Sequence, residues 1–136
     1  MTFTLNSYID FLTTRHSAIE SIWLIGSRAN GTDLPTSDWD IVAFSGDQLL
    51  SDLSADKEIH LPEVDLLVVL SDLDTFERPW GESKSGSLSG WSWTQTGSDT
   101  ATYIGTKWVP DQEEVAGGWE LGEVVSSELR ALLVWP

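Results

Sequence analysis

Three short apolar runs constrain the fold of this chain more than any other feature. They are Ser21–Ile25, Trp39–Phe44 and Val64–Leu70. Each is too short for a typical core helix, and turn-forming residues follow or precede it, which is typical of strands buried on both faces. We therefore expect a small sheet built around these three strands.

Apolar residues at three- and four-residue spacing predict helices beside the strands. The predicted helices cover residues 6–18, 46–54 and 120–134, with a capped helical turn at 71–74. Asn6 or Ser7 is the expected cap of the first helix. This order of elements predicts one α/β (α+β) domain over residues 1–136, with a short mixed sheet flanked by helices.

A segment rich in glycine and tryptophan, residues 79–119, interrupts this pattern. Within it, Trp91–Gln95 and Ala101–Ile104 flank a Gly-Ser-Asp turn, which predicts a two-stranded hairpin. Gly81–Ser87 is predicted to be a mobile surface loop. The aromatic side chains Trp91, Trp93, Tyr103 and Trp108 suit either a small core on the sheet or a platform for a base or sugar ring, and the core reading is favoured.

Charge narrows the possible partners. The chain has 22 Asp and Glu against 7 Lys and Arg, for a net charge of -15, and no cysteine. Such a field repels nucleic acids and anionic membranes, so a bound polyphosphate must be held by metal ions or backbone amides. The N-terminus lacks the features of a signal peptide and no apolar run is long enough to span a membrane, so a cytoplasmic location is expected.

The chemistry is expected between the first two strands. The first strand ends at Gly26-Ser27, and after a short turn the chain re-enters the sheet through Asp38 and Asp40. Alternation along a strand predicts that both carboxylates point to one face, with Cα atoms ~6.7 Å apart. Asp65 opens the third strand and joins them if that strand lies alongside.

Three carboxylates in a partly dry site repel one another, and with no Lys or Arg expected beside them a divalent cation is the natural counter-charge. Oxygen ligands favour Mg²⁺ or Mn²⁺ over zinc. Two such ions about 3.5 to 4 Å apart form the clamp used in phosphoryl and nucleotidyl transfer. The Gly26-Ser27 turn would direct backbone N–H groups and a hydroxyl toward a phosphate.

Gly26-Ser27, ten further residues, and then Asp38-Trp39-Asp40 resemble the signature of the DNA polymerase β-type nucleotidyltransferase superfamily. In length and spacing the chain is most similar to the minimal nucleotidyltransferases, including the antitoxins that modify HEPN toxins. The resemblance covers roughly residues 20–70 and implies a polymerase β-like fold. It also implies that Gly26 and Ser27 bind the triphosphate tail and that Asp38 and Asp40 bind two metal ions. Asp65 would be the third catalytic carboxylate and metal ligand, which helps activate the acceptor hydroxyl.

The activity implied by the resemblance is transfer of a nucleoside monophosphate from ATP or another triphosphate to a hydroxyl of a protein or small molecule, with release of pyrophosphate. Nucleic acid is the least expected acceptor because of the charge. The alternative is a noncatalytic, antitoxin-like protein of the same fold that binds a partner such as a HEPN-type toxin through its acidic surface. A weaker third hypothesis is a carbohydrate or ligand binder built around the tryptophans.

Two positions depart from the resembled group, because many of its members have a second arginine at Asn30 and a smaller residue at Trp39. Arg28 is predicted to contact a phosphate of the nucleotide, or alternatively to cap the carboxylates. Arg78 and Lys107 are less favoured candidates for a phosphate contact. His16 and His60 are expected to be core or surface residues. A solvated face is expected for the acids Asp47, Asp52, Asp56 and Glu58.

Overall fold

The structure is a computed structural model that describes residues 3–45, 48–70, 72–110 and 122–136. The helices are α1 (Leu5–Arg15), α2 (Gly26–Asn30), α3 (Leu49–Ala55) and a 3₁₀ turn at Lys57–Ile59. The strands are β1 (Ile19–Ile25), β2 (Trp39–Ser45), β3 (Val64–Val69), β4 (Thr75–Glu77), β5 (Ser85–Ser87), β6 (Thr94–Gln95), β7 (Thr100–Pro110) and β8 (Gly122–Trp135).

The eight strands form one mixed sheet in the order β5-β4-β3-β2-β1-β8-β7-β6. β2 and β3 are parallel, and α3 with the 3₁₀ turn lies in the connection between them, as a parallel crossover requires. The other neighbouring strands pair antiparallel. The three strands expected from the apolar runs are β1, β2 and β3, so the mixed sheet and the α+β class are confirmed.

Helices cover one face of this sheet. Tyr8 and Leu12 of α1 and Leu53 of α3 are buried against sheet residues such as Ile41 and Leu66. The residue that caps α1 is Thr4, whose hydroxyl accepts a hydrogen bond from the backbone N–H of Ser7, and not Asn6 or Ser7 as predicted. Among the described residues, no helix has the length and hydropathy to cross a membrane.

Aromatic side chains cover the opposite face and show that the sheet is strongly curved. Trp91 lies 4.5 Å from Phe76 of β4 and 5.6 Å from Tyr103 of β7, measured between ring centroids. In a flat sheet β4 and β7 would be five strand spacings, or roughly 24 Å, apart. The curvature brings the two ends of the sheet over one face, and Trp91 and Trp93 pack into a second core there. This supports the core reading of these two tryptophans.

The predicted helix at 120–134 is wrong, because most of this segment belongs to β8. β8 pairs with β1 on one side and β7 on the other. β1 is buried, so its free edge would leave backbone N–H and C=O groups without partners, and β8 satisfies them. Its apolar residues also fit a strand covered on both faces, since Leu129 and Leu133 face the aromatic core while Leu132 and Val134 face the helices.

Two smaller predictions also change. Asp72–Asp74 forms a tight turn leading into β4 and not a helical turn, because the Asp72 carboxylate accepts hydrogen bonds from the backbone N–H groups of Asp74 and Thr75. The predicted loop Gly81–Ser87 ends in strand β5. The predicted hairpin around Gly97-Ser98-Asp99 is confirmed by the pairing of β6 with β7. The predicted short helix is α3, and its first predicted residues, 46 and 47, lie outside the described part of the chain.

Candidate functional site

Strand register brings two of the three predicted acids together. Asp40 of β2 pairs with Ile25 of β1 on one side and with Asp65 of β3 on the other. Directly paired residues in a sheet point to the same face, so Asp40 and Asp65 both lie on the aromatic side. Gly26, which follows Ile25, comes next to Asp40. The residues that the sequence separates by up to 39 positions therefore meet at one end of the three central strands.

Gly26 is required here by both its conformation and its neighbour. Its φ of +73° lies in the left-handed region, and a Cβ atom at this position would overlap the Asp40 carboxylate. A side chain at position 26 would therefore displace the acid. The backbone N–H of Gly26 donates a hydrogen bond to the Tyr103 hydroxyl, 2.8 Å away. Gly26 therefore contacts β7 as well as Asp40.

Asp65 is paired with an arginine. Arg78 Nε donates to Asp65 Oδ1 and Arg78 Nη2 to Asp65 Oδ2, each at 2.9 Å, which is the bidentate geometry favoured by guanidinium and carboxylate. Arg78 also donates to the backbone oxygen of Glu82 at 2.9 Å. The expectation that the acids have no Lys or Arg beside them is therefore wrong, because the chain itself supplies a cation.

Asp40 is the less compensated acid of the pair. Burial, the largest cause, and the negative charges of Asp65 and Asp38 together raise the pKa of Asp40 to about 6, although Lys84 and Arg78 act in the opposite direction. Ionised Asp40 thus sits in a half-buried place where negative charge is unfavourable. A cation bound beside this carboxylate would relieve that cost.

A cavity of about 540 Å³ opens in front of the acids. Asp40 and Asp65 line it together with Gly26, Lys84, Trp91 and Tyr103. Its volume is within the range of small-molecule sites, about 300 to 1,000 Å³. A smaller cavity of about 220 Å³ is lined by Asp38, Asp65, Arg78 and His60, so Asp65 contributes to both.

Asp38, Ser27 and Arg28 lie at the edges of this arrangement. Asp38 is exposed and precedes β2, and Ser27 is half-buried in the first turn of α2. Arg28 lies over the Trp39 ring, 4.3 Å from its centroid, forms an ion pair with Asp33, and donates to the backbone oxygen of Ser37. Arg28 therefore holds the loop between α2 and β2, and its predicted contact with a nucleotide stays a prediction.

Trp39 and Asn30, the two residues that depart from the resembled pattern, each contact another part of the chain. The Trp39 ring packs against the Arg28 guanidinium. Asn30 donates to the backbone oxygen of Gly26 at 2.8 Å and accepts from the backbone N–H of Arg130 in β8 at 2.9 Å. Asn30 thereby fastens α2 to a strand that lies far from it in the sequence.

The two histidines considered as candidates each contact another side chain. His16 and Arg15 both contact the Asp56 carboxylate, which ties α1 to the start of the 3₁₀ turn. His60 is exposed and stacks on Trp80 at 5.1 Å between ring centroids. The side chains of Lys107 and Trp108, and the whole of Asp47, lie outside the described part of the structure.

Sequence reasoning missed Lys84 and gave the other two residues different roles: Arg78 as a less favoured phosphate ligand, and Tyr103 as part of an aromatic core or platform. The signal for Arg78 was present, because the pairing of Val69 with Phe76 in β3 and β4 places residue 78 on the same face as Asp65. The prediction of a helical turn at 71–74 concealed that hairpin. No comparable signal exists for Tyr103, whose position depends on the curvature of the sheet.

The acids fit a divalent cation only in part. Within residues 3–45, 48–70, 72–110 and 122–136, no three His, Cys, Asp or Glu side chains form a group that could hold a metal ion. The hard oxygens and unfavourable charge of Asp40 suit one Mg²⁺ or Mn²⁺ ion, while Asp38 lines the smaller cavity, which shares Asp65 with the larger one. Asp65 fits less well, because Arg78 already compensates its charge.

One family of known proteins matches part of the chain. The family model described as the nucleotidyltransferase domain matches residues 5–89. No curated protein and no solved structure matches the chain significantly. The match is longer than half of the chain and contains Gly26, Ser27 and the three predicted acids. Strands β6, β7 and β8, with Tyr103, lie beyond it.

Two glycines with nearly the same positive φ test the contact between Gly26 and Asp40. Gly26→Ala and Gly31→Ala both place a Cβ at a φ near +72°, which costs about 1 to 2 kcal/mol in each case. Nothing lies within 4 Å of the Gly31 position, whereas at Gly26 the Asp40 carboxylate must move. We expect the Gly26 variant to lose a further 1 kcal/mol or so in urea unfolding. Equal losses would contradict the close packing of Gly26 on Asp40.

The raised pKa of Asp40 predicts a pH dependence of stability. Between its ordinary value of 3.8 and about 6, folded Asp40 binds a proton that the unfolded chain has released. Its contribution therefore makes the free energy of unfolding fall as pH rises through this window. Asp40→Asn should make this decrease in the free energy of unfolding smaller, by on the order of 1 kcal/mol when the partial exposure of Asp40 is allowed for.

Urea unfolding at pH 4 and pH 7 measures this effect. Asp52→Asn is the control, because it removes one negative charge from an exposed position on α3. The same pH slope in wild type and Asp40→Asn would show that Asp40 ionises without cost.

Proposed function

The chain belongs to the nucleotidyltransferase domain family, and we propose that it transfers a nucleoside monophosphate from ATP or another nucleoside triphosphate to a hydroxyl of a protein or small molecule, releasing pyrophosphate. One observation carries the proposal: the register that sets Asp40 directly against Asp65, with Gly26 beside them. A general nucleotidyl transfer function is supported by the family match. The donor, the acceptor and the metal ion are parts of the proposal.

The larger cavity is the proposed nucleotide site. The Gly26-Ser27 turn at its edge would face the triphosphate tail, and Lys84, which lines the same cavity, would add a positive charge. Trp91 and Tyr103 present aromatic rings to the cavity, which suit a base or a sugar. A nucleotide placed in this way would have its α-phosphate near Asp40.

Mg²⁺ or Mn²⁺ is the proposed cofactor, held by Asp40 and Asp38. When bound, such an ion polarises the phosphoryl oxygens and offsets the charge that develops on the leaving group. Asp40 benefits from this pairing, because its burial and the neighbouring acids make its ionised form costly in the protein alone.

The proposed transfer forms one bond and breaks one bond. The acceptor hydroxyl oxygen bonds to the α-phosphorus, the bond from the α-phosphorus to its bridging oxygen breaks, and pyrophosphate leaves with that electron pair. The hydroxyl proton goes to Asp65. Each carboxylate oxygen has two lone pairs, so Asp65 can accept this proton while it remains paired with Arg78.

The charge of the chain favours a protein or small molecule as the acceptor. A net charge of -15 opposes the approach of DNA or RNA, whose binding depends on neutralising phosphates with Lys and Arg. Nucleic acid is therefore the least favoured acceptor.

One observation favours a second candidate, a noncatalytic binding protein of the same fold. Three groups expected to meet the substrate already have partners within the chain: the Gly26 N–H has Tyr103, Asp65 has Arg78, and Arg28 has the loop before β2. In this case the acidic surface would bind a basic partner, such as a HEPN-type toxin, and no transfer would occur.

Labelled ATP separates the two candidates. We expect transfer of label from α-³²P ATP, but not from γ-³²P ATP, to a protein or small molecule in an extract supplied with Mn²⁺. Asp40→Asn should abolish the transfer and Asp52→Asn should retain it. If wild type transfers no label and Mn²⁺ with ATP leaves its melting temperature unchanged, the enzyme proposal is wrong. Saturation a hundredfold above Kd would stabilise the native state by about 2.7 kcal/mol.

Ser27 tests the proposed position of the triphosphate. Removing its hydroxyl should cost one charge-assisted hydrogen bond, about 1.5 to 3 kcal/mol, or roughly tenfold to a hundredfold in ATP affinity. AMP lacks the tail, so Ser27→Ala should change AMP affinity little. Ser51→Ala, at an exposed position on α3, is the control. Equal losses for ATP and AMP in a binding titration would remove Ser27 from the phosphate site.

A further inference from the structure

The hairpin formed by β4 and β5 brings two basic side chains to the acidic pair. Arg78 follows β4 and Lys84 precedes β5, and the backbone N–H of Arg78 donates to the backbone oxygen of Lys84 at 3.0 Å. Arg78 binds Asp65 and Lys84 lines the cavity in front of Asp40. This hairpin therefore delivers two positive charges to a place where the two-metal arrangement would have only acids.

Arg78 is held firmly in this position. Its guanidinium makes two hydrogen bonds to Asp65 and a third to the backbone oxygen of Glu82, and its side chain is only 21% exposed. Three hydrogen bonds from a planar, permanently charged group fix both its orientation and its charge. A divalent ion shared by Asp40 and Asp65 would lie close to this guanidinium and would be repelled by it.

The charges are consistent with a single ion. Arg78 and Lys84 together carry the same positive charge as one divalent cation. Both also act on Asp40, since each opposes the rise in the pKa of that carboxyl. With Arg78 and Lys84 present, one divalent ion brings the total positive charge beside the acids and the triphosphate to that of two divalent ions. A site that lacks the two basic side chains would need two ions for the same charge.

We propose that Arg78, assisted by Lys84, takes the place of the second divalent cation, so that the protein binds its nucleotide with one metal ion on Asp40 and Asp38. This inference rests on the proposed nucleotidyl transfer. It assigns Arg78 as a positioning residue, which holds Asp65 and supplies fixed positive charge beside it.

Counting bound Mn²⁺ tests the proposal. Free Mn²⁺ is measured by electron paramagnetic resonance while it is titrated into the protein with a saturating non-hydrolysable ATP analogue. We expect one bound ion per bound nucleotide for wild type and two for Arg78→Gln, because Asp65 then becomes available. Adding Asp65→Asn to Arg78→Gln should return the count to one. Arg78→Lys keeps the charge and should also give one.

Arg15→Gln is the matched control, because Arg15 forms the other bidentate pair with an aspartate, Asp56, away from the site. It should leave the count at one. A count of two in wild type overturns the inference and leaves the proposed nucleotidyl transfer unaffected. The wild-type count does not depend on the variants, so it tests the inference even if a variant fails to fold. A count that stays at one in folded Arg78→Gln also overturns it. Failure of wild type to bind the analogue with Mn²⁺ overturns both proposals together.

Discussion

Two carboxylates face each other across the parallel strands β2 and β3, and much of the surrounding structure compensates for their repulsion. Asp40 and Asp65 are a direct pair on the half-buried aromatic side of the sheet. Like charges so placed are unfavourable, and the raised pKa of Asp40 expresses that cost. Arg78 offsets Asp65 with a bidentate ion pair, while Gly26 leaves room for the Asp40 carboxylate. The acids keep this position because β2 is held in register by β1 and β3 on both sides.

The part of the chain beyond the family match closes the face that carries the acids. Tyr103 of β7 accepts the Gly26 N–H, and the backbone of β8 is bound by Asn30 of α2. Trp91 and Trp93 then fill the space between β4, β1 and β7. Helices cover the opposite face, and Trp91 and Tyr103 form aromatic walls of the cavity in front of the acids. In the proposed nucleotide site, recognition of the base or sugar would therefore depend on the segment that the family model does not match.

Much of the site was predictable from the sequence, because it depends on local patterns. The Gly26 turn, the alternation through Asp40 and the Val/Leu run after Asp65 each define a strand end within a few residues. The failures depend on pairing between distant segments. Residues 120–134 have a spacing that fits a helix as well as a strand covered on both faces, and only the free edge of β1 decides for the strand. The pairing of Arg78 with Asp65 is not predicted, because the sequence favours a helical turn after β3 over the hairpin that brings Arg78 to Asp65.

The charge around the acids is less negative than the charge of the whole chain, and this difference bears on which ligand can enter. The net charge of -15 repels a free triphosphate at long range, yet Arg78 and Lys84 make the immediate surroundings of the acids less negative. Screening limits the long-range field to about 8 Å at physiological salt, so the charges next to the cavity matter most once a ligand reaches it. A nucleotide that arrives already bound to a divalent ion carries less negative charge and meets less repulsion on approach. Under the proposed function, this charge distribution would favour metal-bound nucleotide over free nucleotide, and acceptors that are neutral or basic.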